Sequence, residues 1–331
     1  MNEPLLKIEN LSTSFKSDHG YLKAIDGVSF TIQPGEITGI VGESGCGKSV
    51  TMQSIMQLYE GKGKQVVYNG KIYFSGKDLI TMSEKDMKKI RGKDISMIFQ
   101  DALSALDPVY TIGEQIDETL RIHTNYSKTE RAAKEIELLE LVGINEPDKR
   151  LKQYPHEISG GMRQRVMIAI ALACHPKLLL ADEPTTALDV TIQAQVIDLL
   201  KELNKKLGMS IILITHDMSV VAQSCQEVIV MYLGQVVEKG DIYSLFDSPA
   251  HPYTRGLIKS IPKIDAARPR RLFMIKGNVP LLYQVPHGCR FAPRCHYAST
   301  KCKTEMPELR EMGHGHYVRC WYSVMEGNHH D

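Results

Sequence analysis

Three features of the chain predict an α/β fold built on a parallel sheet. An apolar stretch, Glu36–Val41, runs straight into a glycine-rich loop, GESGCGKS (Gly42–Ser49), and then into a helical stretch, Lys48–Tyr59. Two later apolar runs, Lys177–Ala181 and Ser210–Thr215, have the continuous hydrophobicity of strands covered on both faces. The second follows a helical stretch, Ile192–Leu207, with Gly208 placed as a stop signal. Strands that alternate with helices in this way build parallel sheets.

The remaining elements follow in order. Residues 5–40 alternate in a strand-like way, as LLKIENLSTSF, then VSFTI, then EITGIVG after the turn Gln33-Pro34-Gly35. Between residues 101 and 157 strand signals stop. There Ser127-Lys128-Thr129-Glu130 is a capping box opening a helix with Ile136 and Leu139 on one face, so 101–157 reads as a helical insertion. After residue 262 the chain turns proline-rich and loop-like, with Pro262, Pro269, Pro280, Pro286, Pro293 and Pro307. A domain boundary is expected there, giving 1–262 and 263–331.

Composition narrows the function classes. At 331 residues the length allows about two domains, and 43% hydrophobic with 24% charged residues suits a globular protein with a sizeable core. A net charge of +1 gives no electrostatic reason to expect a nucleic acid or an acidic lipid as partner. No apolar run approaches the roughly 18 residues of a membrane span. The longest, Val166–Cys174, stops at His175. The N-terminus, MNEPLLKIEN, has polar and acidic residues where a secretory signal is apolar. A cytoplasmic location with reduced thiols is the expectation.

The glycine loop has the chemistry of a phosphate cradle. Gly42, Gly45 and Gly47 let the backbone turn tightly and aim its N–H groups at phosphate oxygens, and the helix that follows adds its positive end. Lys48 supplies a mobile charge for the β- and γ-phosphates and Ser49 a hydroxyl for Mg²⁺. Ser44, Cys46 and Val50 complete the expected nucleotide contacts. A chance glycine-rich turn is disfavoured, because Lys-Ser follows at the required spacing after a strand.

Leu178-Leu179-Leu180-Ala181-Asp182-Glu183 is an apolar strand ending in two carboxylates. Alone, such an Asp-Glu would read as a solvated turn. Beside a phosphate loop, Asp182 becomes a Mg²⁺ holder and Glu183 the group that orients attacking water. Gln100, after Ile95–Phe99, and His216, after Ile211–Thr215, carry little weight in isolation. Ser159-Gly160-Gly161 precedes the helical run Met162–Cys174. Ser159 is an N-cap on the plain reading. On the functional one, it marks a second anion-binding helix end for a γ-phosphate held by another subunit.

The seven cysteines form two groups. Cys46, Cys174 and Cys225 are isolated and read as small buried residues or bystanders. Cys289, Cys295, Cys302 and Cys320 run C-x5-C-x6-C-x17-C in the proline-rich tail. A cytoplasmic location argues against disulfides. Four thiolates suit Zn²⁺ or an iron–sulfur cluster, and the spacing lacks the close pairs usual in structural zinc sites. His287, His296, His314 and His316 are surplus to such ligation and read as surface residues.

Taken together, these residues resemble the ATP-binding subunits of ABC transporters over roughly 5–262. GESGCGKS matches Walker A, Gln100 the Q-loop, ISGGM (Ile158–Met162) the signature and LLLADE Walker B. Ala187-Leu188-Asp189 matches the D-loop and His216 the switch histidine, all in the family's order. YPHEISGGMRQRV (Tyr154–Val166), HPYTRGLIKSIP (His251–Pro262) and the cysteine tail resemble the oligopeptide/dipeptide importer branch. Met162, in place of the general glutamine, is typical of that branch, whereas Asp101 and Ala102 depart from its usual Pro-Met.

The resemblance implies a P-loop NTPase (RecA-like) core with a β subdomain, an α-helical subdomain and a small metal-binding C-terminal extension. It implies ATP hydrolysis with Mg²⁺ held by Ser49, Gln100 and Asp182, and catalysis by Glu183, His216 and Gln100. Phe15 is the expected adenine-stacking residue, with Tyr21 the alternative. For the four tail cysteines it implies a [4Fe–4S] cluster, with Zn²⁺ the runner-up. Implied partners are a second ABC ATPase subunit, two transmembrane permease subunits and an extracytoplasmic peptide-binding protein, with the chain on the cytoplasmic face of the membrane. Related ATPases import nickel or glutathione, and others act on DNA or ribosomes. Those on DNA insert long coiled coils or zinc modules where this chain has a compact helical segment.

Overall fold

The structure is a computed structural model that describes residues 3–18, 20–59, 64–101, 105–186, 189–261 and 273–322. The chain folds as two compact units. One consists chiefly of residues 33–37 and 81–214, the other of 4–32, 38–80 and 215 onward. The expected boundary near 262 falls at 262–272, outside the described residues.

The first unit carries three parallel strands, Ile95–Ile98, Leu178–Asp182 and Ser210–Ile214, paired in that order. The second and third are buried at every position, as their unbroken apolar sequence requires. The long helix Val190–Leu207 connects them, capped by the Asp189 carboxylate and ended by Gly208 in the left-handed conformation.

Two longer helices lie within residues 101–157. Ile112–His123 and Lys128–Leu141 each open with a reciprocal capping box, Thr111 with Glu114 and Ser127 with Glu130. No strand occurs among the described residues of 101–157. Both helices pack on the helix Gly160–Leu172. Arg165 of that helix donates to the Val142 carbonyl at 2.6 Å and Arg163 to that of Pro155, also at 2.6 Å.

The second unit carries an antiparallel sheet ordered Gly20–Ile32, Leu6–Ser17, Val66–Phe74 and Lys77–Asp78. Its other strands begin with Ile37–Val41, parallel to Glu227–Tyr232. Gln235–Asp241 then pairs antiparallel, and the hairpin Arg310–Gly313 and His316–Val318 extends that edge. The cysteine tail is therefore knitted into the same unit as the glycine loop, by strand pairing as well as by side chains.

A buried carboxylate secures that junction. Glu238, fully buried, accepts from the backbone N–H groups of Ala250 and His251 at 2.7 and 2.9 Å and bonds His316 Nε2 at 2.7 Å. His316 is buried, which corrects the expectation of a surface residue. A ring nitrogen was needed opposite Glu238, because a buried carboxylate left short of partners is costly.

Candidate nucleotide site and cysteine tail

The strand Ile37–Val41, buried along its length, ends at the glycine loop. Gly42 has φ +152, and a Cβ there would lie 2.2 Å from the Met231 carbonyl oxygen. Gly47 has φ +101 and caps the helix Lys48–Ile55, which stops a turn short of the expected Tyr59. Only glycine satisfies both demands, so the loop's composition is a steric requirement. Ser44 and Gly45 are exposed, Cys46 and Lys48 buried, and Ser49 and Val50 half-buried.

Lys48 is held over its own loop. Its ammonium donates to the carbonyls of Gly42 at 2.8 Å and Glu43 at 3.2 Å. The Cys46 thiol lies in this region at 1% exposure, and burial pushes its pKa up, so it behaves as a packed apolar group. Thr51 Oγ1 donates to the Gly47 carbonyl at 2.9 Å, which ties the first helical turn to the loop.

Phe15 is half-buried and packs edge-on against Tyr59, with ring centroids 4.7 Å apart. Both line an open cleft of about 520 Å³ with Lys16, Ser17, Asp18, Gln65 and Val66. Tyr21 is exposed, and its hydroxyl donates to the Lys64 carbonyl at 2.8 Å. In the same unit His216 is exposed just before Asp217, which caps the helix Met218–Ser224.

In the other unit the expected catalytic pair meets. Gln100 Nε2 donates to Glu183 Oε2 at 3.3 Å, and Thr186 Oγ1 donates to the same oxygen at 3.0 Å. Glu183 has φ +45, a left-handed conformation uncommon for a residue with a side chain. Its N–H bonds the Ile214 carbonyl at 3.0 Å, so strand-end pairing holds the turn that points this carboxylate. Asp182, the last residue of its strand, is 3% exposed.

Ser159 caps the helix Gly160–Leu172 by accepting from the Met162 N–H at 3.3 Å, so the plain reading of this serine holds. Ser159 and Gly160 are exposed and Gly161 half-exposed. Of the expected D-loop, Ala187 and Leu188 lie outside the described residues, as does Ala102 beyond the Q-loop.

The tail cysteines gather without forming a single-ion site. Cys289, Cys295, Cys302 and Cys320 line one small cavity with His251, Phe291, Tyr297 and Trp321. Among the described residues, however, no three His, Cys, Asp or Glu side chains close on one metal ion. The expectation of a metal-binding extension is corrected to that extent: the four cysteines share a cavity but form no metal site there. Burial pushes the pKa values of Cys289, Cys295 and Cys320 up, Cys295 to about 11 and Cys320 to about 12.

No helix of the described residues is long and apolar enough to cross a membrane.

Comparison with known proteins matches this arrangement. Residues 25–186 match the ABC transporter family, and 237–302 match the oligopeptide/dipeptide transporter C-terminal region. The oligopeptide transport ATP-binding protein AppD of Bacillus subtilis is 52% identical over 98% of both chains. A probable peptide ABC transporter ATP-binding protein of Sinorhizobium fredii is 49% identical over 96% of this chain and 95% of its own. The dipeptide transport ATP-binding protein DppD of Escherichia coli is 47% identical over 97% of both. Among solved structures, the ATP-binding cassette MJ0796, a dimer in a post-hydrolysis state with ADP and phosphate, superposes with a TM-score of 0.64 at 29% identity. That match covers 72% of this chain and 98% of the other.

A steric glycine loop, a glutamate turned out at a strand end and near-full-length likeness to transport ATPases converge: the chain belongs to the ABC transporter family, as an ATP-hydrolysing, ATP-binding protein.

Proposed function

We propose that this ATPase powers uptake of di- and oligopeptides from the cytoplasmic face of the membrane. Its partners would be two permease subunits, a second ABC ATPase subunit and an extracytoplasmic peptide-binding protein. The observation that carries the reading is the full-length likeness to peptide-transport ATP-binding proteins, tail included. The matched C-terminal region is also what favours peptides over nickel or glutathione.

The residues divide the work as follows. The loop Gly42–Val50 cradles the triphosphate, with Ser44 at its exposed tip and Lys48 as the mobile charge. Phe15 stacks on the adenine, supported by its cleft and by Tyr59 at its edge. Ser49, Asp182 and Gln100 are oxygen donors of the kind Mg²⁺ prefers and would hold the ion, which would supply charge neutralisation at the phosphates. Glu183 orients the attacking water, Gln100 fixes that carboxylate, and His216 faces the γ-phosphate. Ser159, Gly160 and Gly161 bind the γ-phosphate of a partner's nucleotide, so two molecules of ATP close the pair. Phosphate release reopens it and moves the permeases.

For the tail, a [4Fe–4S] cluster fits better than Zn²⁺. A zinc site draws four sulfurs onto one ion. A cluster takes one thiolate at each of several irons, and the four cysteines that line one cavity support that reading.

The assembled transporter should take up labelled peptide and lose that uptake with Lys48→Ala. Uptake of nickel or glutathione, with no peptide uptake, would overturn the cargo assignment. Anaerobic purification should give a brown protein with iron and labile sulfide in equal amounts, and colourless protein with stoichiometric zinc would reverse the metal choice.

A further inference from the structure

The C-terminal third of the chain grips the glycine loop at both ends. At the start of the loop, Glu43 is held twice. Its carboxylate takes Arg294 Nη1 at 2.5 Å and Nη2 at 2.9 Å, and its N–H donates to the Tyr253 hydroxyl at 2.8 Å. The Arg294 side chain is 4% exposed, that of Glu43 30%.

Arg294 comes ready-aimed. Its Nε donates to the Lys276 carbonyl at 3.0 Å and its Nη2 to that of Ile275 at 3.4 Å. Phe291, three residues earlier in the tail, packs against Tyr232 and Tyr253, with centroids 5.2 and 5.4 Å away. At the far end, Arg290 donates to the Leu233 carbonyl, and the next N–H, of Gly234, donates to the Cys46 carbonyl at 2.8 Å.

Glu43 also presents one of the two carbonyls that hold the Lys48 ammonium. We propose that Arg294 and Tyr253 are positioning residues for ATP: by clamping Glu43 they set the loop geometry that aims Lys48. A bidentate arginine–carboxylate pair fixes direction as well as distance, which a lysine or a neutral partner does less well. The cysteine tail then has a defined task at the nucleotide site, with Arg294 adjoining Cys295 in sequence.

The inference rests on Gly42–Ser49 being the ATP loop, and the test separates the two. In the full transporter, ATP KM, kcat and thermal midpoint are measured for Arg294→Gln, Glu43→Gln, the double variant, Arg294→Lys and Tyr253→Phe. Each neutralising single variant should raise KM about tenfold, the double no further than the worse single, as coupled residues behave. Arg294→Lys should recover part of the loss, and Tyr253→Phe, which keeps the ring, should raise KM less. An unchanged KM with only a lower midpoint would reduce the contact to a structural strut, and additive losses would also end the proposal. Nucleotide binding that survives Lys48→Ala would remove the loop assignment, and the clamp with it.

Discussion

The glycine loop and the signature loop are both helix N-termini suited to phosphate, yet their surroundings differ. Lys48 is 5% exposed and is held by loop carbonyls that the tail in turn braces. Ser159 and Gly160 stand exposed, with one internal cap bond to Met162. The first is finished by this chain's own residues. The second lies open, as the proposed contact with a partner's nucleotide would require. Burial thus separates the two helix ends, one packed and one open.

That contrast can be tested at its strongest point by Glu183→Gln. Turnover should fall by about 10²–10³-fold, the usual cost of losing a general base, while ATP binding persists and a closed pair accumulates. Near-normal turnover would take Glu183 out of its role.

Ser159→Arg sharpens the comparison next. The isolated chain should bind ATP as before, but the assembly should lose about tenfold or more in turnover as the exposed helix end is blocked. Lys48→Ala should do the reverse and abolish binding in the isolated chain. Equal effects on binding from both would mean that the two helix ends do not differ in function.

Support for the buried side should be visible in stability. Glu238→Ala orphans two backbone N–H groups and His316, and should cost about 3 kcal/mol in urea unfolding of the full chain. A loss within about 0.5 kcal/mol would mean the tail is held elsewhere.

The smallest effect is expected on the helical insertion. Burial, then the nearby Asp117 carboxylate, raises the Glu135 pKa from 4.5 to about 7. The folded state therefore holds a proton that the unfolded state releases between those values, so stability declines as pH rises through that window. Glu135→Gln should flatten the decline, and an unaltered pH profile would show that solvent screens the group.

The elements that were legible in sequence are those whose signals are local. Gly42 and Gly47 take left-handed backbone angles within the loop itself, and the capping box at Ser127 closes over one turn. The apolar strands reveal themselves because both faces are covered. His316 was misjudged because its partner, Glu238, is remote in sequence and nothing adjacent to either marks the pairing. Arg294 and Tyr253 are silent in sequence for the same reason, since an arginine beside a cysteine and a tyrosine in a helix have no local pattern that points to Glu43.

From residue order alone come the family, the reaction and the nucleotide. Spacing along a strand, loop and helix is covalent geometry, and chemistry with strict steric needs writes itself there. Which distant side chains brace the glycine loop, which cavity the four cysteines share and which helix end stays exposed were decided only on folding. Those outcomes depend on burial and on competition among partners, and they exist only once the chain has packed.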